Sequence, residues 1–165
     1  NKRQELEKKL KAAEDKRFEE AKKQIEKALQ ESEDLKKISD QVKIDITPEG
    51  LRIQIIDKEG RPLFPSGSAE MYDYVKILLA AVTAAIIPLP NEVSVRGHTD
   101  SVQYAPGAKY TNWELSADRA NSTRRMLMLG MLHEERIVNV MGKADREPLI
   151  PENPKDPQNR RLTVM

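Results

Sequence analysis

The chain has 165 residues, with 28 Lys and Arg against 27 Asp and Glu and a net charge of +1, so nothing pulls it electrostatically toward nucleic acid or anionic lipid. It has no cysteine, which excludes a disulfide framework and a thiolate metal site. The longest apolar run, residues 77–87, stops at Pro88 and falls well short of the roughly twenty residues that span a bilayer, so a buried helix is expected there. The chain opens on Asn1 rather than Met, shows no signal peptide, and reads as a fragment of something longer.

Residues 1–41 form a first unit, a charged helical linker or dimerisation segment. Its first 40 residues contain neither Gly nor Pro and are rich in good helix formers. Opposite charges recur four apart, as in Glu5–Lys9, Glu7–Lys11, Glu19–Lys23 and Glu33–Lys37, which supports a solvated helix. A thin apolar stripe runs Leu6, Leu10, Ala13, then Phe18, Ala21, Ile25, Ala28, and later Leu35 and Ile38, slipping near Arg17. Two readings stay open: a helix with one docking stripe, or a dimerising coiled coil.

Residues 42–165 form the second, globular unit. Val42, Ile44 and Ile46 alternate with polar residues, as do Leu51, Ile53 and Ile55, and Thr47-Pro48-Glu49-Gly50 between them predicts a hairpin. Ser68 is a candidate N-cap for a helix from about Ala69 to Ile87. Residues 92–98 read as a strand with Val93, Val95 and Gly97 on one face. A long loop, 101–113, precedes a helix from Ala117 to about Met131 whose inner face is Ala120, Thr123, Leu127 and Gly130. Residues 137–141 predict a strand, 145–158 a Pro-rich loop, and 161–165 a last strand. From residue 51 the order is β-α-β-α-β-β, an α+β arrangement with two helices packed on one face of a mixed sheet.

The chemistry gathers between Gly97 and Ala120. Asp100 sits just past the predicted strand. With Ser116 as N-cap, Arg119 falls in a first helical turn, where partial positive charge favours an acid and a capping box would place Glu or Gln. An arginine there suggests an anionic ligand, and together Arg119 and Asp100 suit a zwitterion: a guanidinium fork for the carboxylate and an acceptor for the ammonium. His98 and Asp100, two apart on one strand face, would make only half of a metal site; no third ligand stands at a recognisable spacing, and no metal or other cofactor is expected. Tyr110 and Trp113 are expected to pack the long loop onto the core, the alternative being an aromatic face for a sugar ring.

Gly97-His98-Thr99-Asp100 followed by Leu115-Ser116-Ala117-Asp118-Arg119-Ala120 resembles the OmpA-like peptidoglycan-binding family. Fourteen residues separate Asp100 from Leu115, more than that family's usual spacer. The longer loop, the stretch Asn112 to Asn121, the segment from Thr47 through Asp57 to Phe64 and Gly67-Ser68-Ala69-Glu70, and the ending Asn159-Arg160-Arg161 are similar to the MotB family of flagellar stator subunits. The resemblance covers roughly residues 42–165. It implies an OmpA-like fold preceded by a long helix and an extra strand, and a non-catalytic domain that binds the stem peptide and glycan of peptidoglycan. Asp100 would meet the diaminopimelate-type group of the stem peptide, opposite Arg119. Thr99 and Asn159 are implied beside them, with Ser116, Leu115, Trp113 and Arg160 as a second tier of site residues. The resemblance further implies a homodimer, a MotA-type membrane partner, and a place in the periplasmic region of a single-pass inner-membrane protein whose transmembrane helix lies upstream of Asn1. Against it stand a cell-wall hydrolase, for which two histidines and no cysteine offer little, and a coiled-coil adaptor without a ligand.

Overall fold

The computed structural model describes residues 1–165. Asn1 caps a long helix, α1 (Lys2–Glu31), and Ser32 ends it and caps a one-turn helix, α2 (Glu33–Lys36). The two halves of α1 have different environments. Phe18, Ala21, Ile25 and Leu29 are buried and join the core of the sheet domain, as do Leu35 and Ile38, whereas Leu6 and Leu10 are 58% and 61% exposed. The docking stripe therefore starts where the sequence pattern slips, and Leu29 fills the place expected for Ala28.

The sheet is built from β1 (Val42–Thr47), β2 (Gly50–Ile56), β3 (Val93–His98), β4 (Ile137–Gly142) and β5 (Arg161–Val164), in the order β1-β2-β5-β3-β4. Only β3 and β4 run parallel. Helices α3 (Asp73–Ile86) and α4 (Asn112–Leu129) complete the alternation expected from the pattern. Leu51, Ile53, Ile55, Val93, Val95, Leu162 and Val164 face the helices and form one core with Val75, Leu78, Leu79, Val82 and Leu127. The period of two puts Arg52, Gln54, Arg96, His98, Arg161 and Thr163 on the opposite, polar face.

Two helix starts differ from expectation. α3 begins at Asp73, not near Ala69. Residues 68–72 are held by tertiary bonds instead: the Ser68 carbonyl accepts from Arg119, the Ala69 carbonyl from the Ser122 hydroxyl, and the Tyr72 N–H donates to the Leu63 carbonyl. The Ser68 hydroxyl accepts from the Glu70 N–H, a local turn rather than a helix cap. α4 begins at Asn112, five residues before the predicted Ala117. Thr111 is its N-cap and Glu114 reaches back to the Thr111 N–H at 3.1 Å, a capping box; the Thr111 hydroxyl also donates to this carboxylate and is the main cause of its lowered pKa. Arg119 thus lies two turns inside α4, and the helix-terminus argument for an anion does not apply to it.

The seat of α4 on the sheet is made by two glycines. Gly97 in β3 and Gly142 in β4 are register partners. A Cβ on Gly97 would lie 2.2 Å from the Ser116 carbonyl oxygen, and one on Gly142 would lie 2.5 Å from the Ala117 N–H nitrogen. Only glycine lets the helix backbone come this close, and the approach fixes how far Arg119 stands from the end of β3.

Candidate functional site

The Thr99-Asp100 step leaves β3 at the end where α4 begins. Thr99 is tied to the Ala144 carbonyl by its N–H at 2.8 Å. Asp100 is 6% exposed; its Oδ1 accepts from the Val102 N–H at 3.0 Å, which turns the chain into the long loop. Asn112, the first residue of α4, donates to the Val102 carbonyl at 2.9 Å and to that of Asp100 at 3.4 Å, closing the loop onto the helix.

Arg119 crosses the floor of this corner. It is 6% exposed, donates from Nε to the Ser68 carbonyl at 2.8 Å and from Nη2 to the Pro65 carbonyl at 3.3 Å, and lies 4.6 Å from the centroid of the Phe64 ring. Burial lowers its pKa, and Asp57 acts the other way. Its Nη1 makes no hydrogen bond to the protein, so one arm of the guanidinium keeps its donors unpaired.

Asp100 and Arg119 do not pair with each other. Arg160 takes that place: its Nη1 donates to Asp100 Oδ2, and its Nη2 donates to Asp57 Oδ1 at 3.1 Å. Asp57 is 3% exposed, and its Oδ2 accepts from the Leu63 N–H at 3.0 Å. Burial alone would lower the Arg160 pKa, but the hydrogen bonds and charges of Asp57 and Asp100 outweigh it and raise it. These groups border a cavity of about 440 Å³ whose wall includes Phe64, Thr99, Asp100, Leu115, Arg119 and Arg160.

The other sequence candidates are placed elsewhere. Asn159 is fully buried; its Oδ1 accepts from the Ile150 N–H at 2.7 Å and its Nδ2 donates to the Asn153 carbonyl at 2.9 Å, so it pins the Pro-rich loop instead of lining the cavity. The Ser116 hydroxyl accepts from the Ala144 N–H at 3.0 Å and donates to the Trp113 carbonyl, fastening α4 to the loop after β4. Trp113 and Tyr110 do not pack onto the core: they are 49% and 38% exposed, and the Tyr110 hydroxyl donates to Asp118 at 2.6 Å. Asp57, Phe64 and Asn112 are wall or support residues to which the sequence reading assigns no part in the site. Asp57 carries no local signal, because its partner Arg160 is 103 positions away.

His98 lies on the polar sheet face, 3% exposed, with Nε2 3.3 Å from the Thr163 hydroxyl and Nδ1 buried without a partner. Burial, then the positive charges of Arg161, Arg96 and Lys143, push its pKa from 6.5 down to about 3. Between these values the unfolded chain binds the proton and the folded chain does not, so stability is full above pH 6.5 and falls as pH is lowered toward 3. The slope attributable to this residue is up to about 1.4 kcal/mol per pH unit. Urea unfolding across that range is expected to show the slope, and His98→Gln to flatten it; an unchanged slope would place the proton uptake elsewhere. No three His, Asp or Glu side chains are grouped so as to hold a metal ion.

A family model described as the OmpA family matches residues 63–161, and the chain belongs to that family. Within it, the chain is 39% identical over 166 residues to Motility protein B of Escherichia coli (strain K12), an alignment covering all of this chain and 54% of that protein. The chain thus spans about half the length of the curated relatives it matches most fully. Among solved structures, a putative MotB-like protein from Desulfovibrio vulgaris shares the fold with a TM-score of 0.74 at 21% identity, covering 96% of this chain and 93% of that one. The cell wall anchor of the T6SS from Pseudomonas aeruginosa aligns with a TM-score of 0.61 at 26% identity, over 76% of this chain and 87% of that one.

Proposed function

We propose that this chain is a non-catalytic peptidoglycan-binding anchor of a flagellar motor stator, tethering a membrane ion-channel complex to the cell wall so that torque can act on the rotor. The observation that carries the reading is the cavity in which Asp100, Arg119 and Arg160 converge, with one arm of Arg119 unoccupied. Asp100 takes the ammonium and Arg119 the carboxylate of the diaminopimelate-type end of a stem peptide, with Thr99 and Leu115 on the wall. Likeness to Motility protein B and to a cell wall anchor supports the same assignment.

A binding role suits the chemistry better than hydrolysis. His98, the histidine nearest Asp100 in sequence, is buried and held to Thr163, so it is not placed to act as a general base. In this reading residues 1–41 link the wall-binding unit to the membrane, and the exposed Leu6 and Leu10 form part of a homodimer seam with a second copy. The membrane partner is a MotA-type subunit, and the chain lies in the periplasm as part of a single-pass inner-membrane protein. No helix of the structure is itself long and apolar enough to cross a membrane.

Co-sedimentation with purified sacculi tests the reading. The unsubstituted chain is expected to pellet with them, and Asp100→Ala and Arg119→Ala are each expected to lose at least about tenfold in affinity, the cost of one charge-assisted contact. Equal sedimentation of all three would remove both residues from the site, and release of soluble muropeptides would replace the anchor with a hydrolase.

A further inference from the structure

The first turn of α4 separates two depressions. Asn112 and Leu115 face the cavity described above. Trp113, on another side of the same turn, borders a second and shallower one of about 450 Å³, walled by Met141, Gly142, Lys143, Arg146 and Glu147. Trp113 is the one tryptophan in the chain, and it stays 49% exposed while Asn112, Leu115 and Ser116 around it are buried. The ring is not on a loose segment. Its backbone N–H donates to the Thr111 hydroxyl at 3.3 Å as part of the helix cap, and its carbonyl accepts from Ser116 at 3.0 Å. The Arg146 guanidinium lies 5.5 Å from the ring centroid, and Lys143 and Glu147 form an ion pair at 3.4 Å nearby.

A fixed, half-open indole beside charged donors and an acceptor is the combination that a sugar ring needs. The C–H face of the ring packs on the aromatic face, while hydroxyl and N-acetyl groups take hydrogen bonds from the guanidinium and ammonium and give them to the carboxylate. We propose that the Trp113 depression is a carbohydrate subsite that holds an amino-sugar ring of the glycan strand. This rests on the peptidoglycan reading, which it extends from the stem peptide to the glycan. The two depressions flank one turn of a helix that is about 10–12 Å across with its side chains, so one ligand can enter one with its peptide and lie over the other with its sugar.

Because Trp113 is the only tryptophan, its fluorescence reports on this subsite alone. The probe is glycan strands freed of all stem peptides by an amidase, titrated into the full chain. A saturable change in emission is expected, also in Arg119→Ala, and it is expected to vanish in Arg146→Ala, which keeps the tryptophan. Trp113→Ala is expected to fold normally by circular dichroism and to bind intact sacculi about fivefold or more weakly, the size of one aromatic stacking contact. Emission unmoved by stem-free glycan, with sacculi bound equally by the parent chain and Trp113→Ala, overturns the subsite and leaves the stem-peptide reading intact. Emission moved by glycan in a chain whose sacculus binding ignores Asp100→Ala and Arg119→Ala supports the subsite and removes the stem-peptide assignment.

Discussion

Gly97→Ala is expected to destabilise the chain by about 3 kcal/mol or more and to abolish binding to sacculi even where the protein still folds. The added methyl meets backbone, not a side chain that can swing away: it would lie 2.2 Å from the Ser116 carbonyl oxygen and 3.3 Å from the Ala120 nitrogen. The helix cannot shift sideways to make room, because the neighbouring Gly142 is held as tightly against Ala117 and the Ser116 hydroxyl. α4 must lift, and Arg119 rises with it while Asp100, three residues after Gly97, stays with the sheet. Gly60→Ala is the control, since nothing lies within 4 Å of the added atom and only its φ of +80° opposes the change. Denaturant unfolding and co-sedimentation measure the two effects. A Gly97→Ala chain within about 1 kcal/mol of the parent would mean that the helix does not depend on this seat.

Arg160→Ala is expected to cost about 3 kcal/mol, because it leaves the carboxylates of Asp57 and Asp100 buried without their shared cation. Both acids are less than a tenth exposed, and neither can turn to solvent while its other oxygen accepts from the backbone N–H of Leu63 or Val102. Arg160→Lys is expected to recover little, since one ammonium cannot match a fork that spans two acids. In a double-mutant cycle, Asp57→Asn is expected to cost less in the Arg160→Ala background than alone, as groups in one network are not additive. Full additivity in thermal or urea unfolding would show that the two residues act separately and that the bridge contributes nothing.

The parts of this fold that follow a short period were readable from the residues. Alternation gave β1, β2 and β3 to within a residue or two, and the apolar run gave α3, because period-two and period-3.6 patterns are local consequences of burial on one face. The starts of α3 and α4 were misplaced for different reasons. At α4 the signal is present, since Thr111 and Glu114 stand at capping-box spacing, but Ser116 is a second residue of N-cap type a turn later. At α3 the backbone of residues 68–72 is held by Arg119, Ser122 and Leu63, partners that no local window contains. The site was legible to the same limit. Asp100, Arg119 and Leu115 do meet at one cavity, but the intervening Arg160 bridge joins three residues from distant parts of the chain. Asn159 and Ser116 show the converse: polar residues inside a recognisable motif can be wholly occupied in holding loops in place.

The last strand to be made is the middle one. β2 and β3 share no hydrogen bonds and are joined only through β5, which also follows directly on Arg160. As the chain emerges from amino to carboxyl end, the β1–β2 hairpin and the β3–α4–β4 unit remain two half-sheets, each with an open edge. Residues 160–164 join them and deliver the cation that organises Asp100 in the same event. A chain interrupted or trimmed before that segment therefore lacks both at once: the strand that joins the two halves of the sheet and the cation that pairs with Asp100 at the cavity wall.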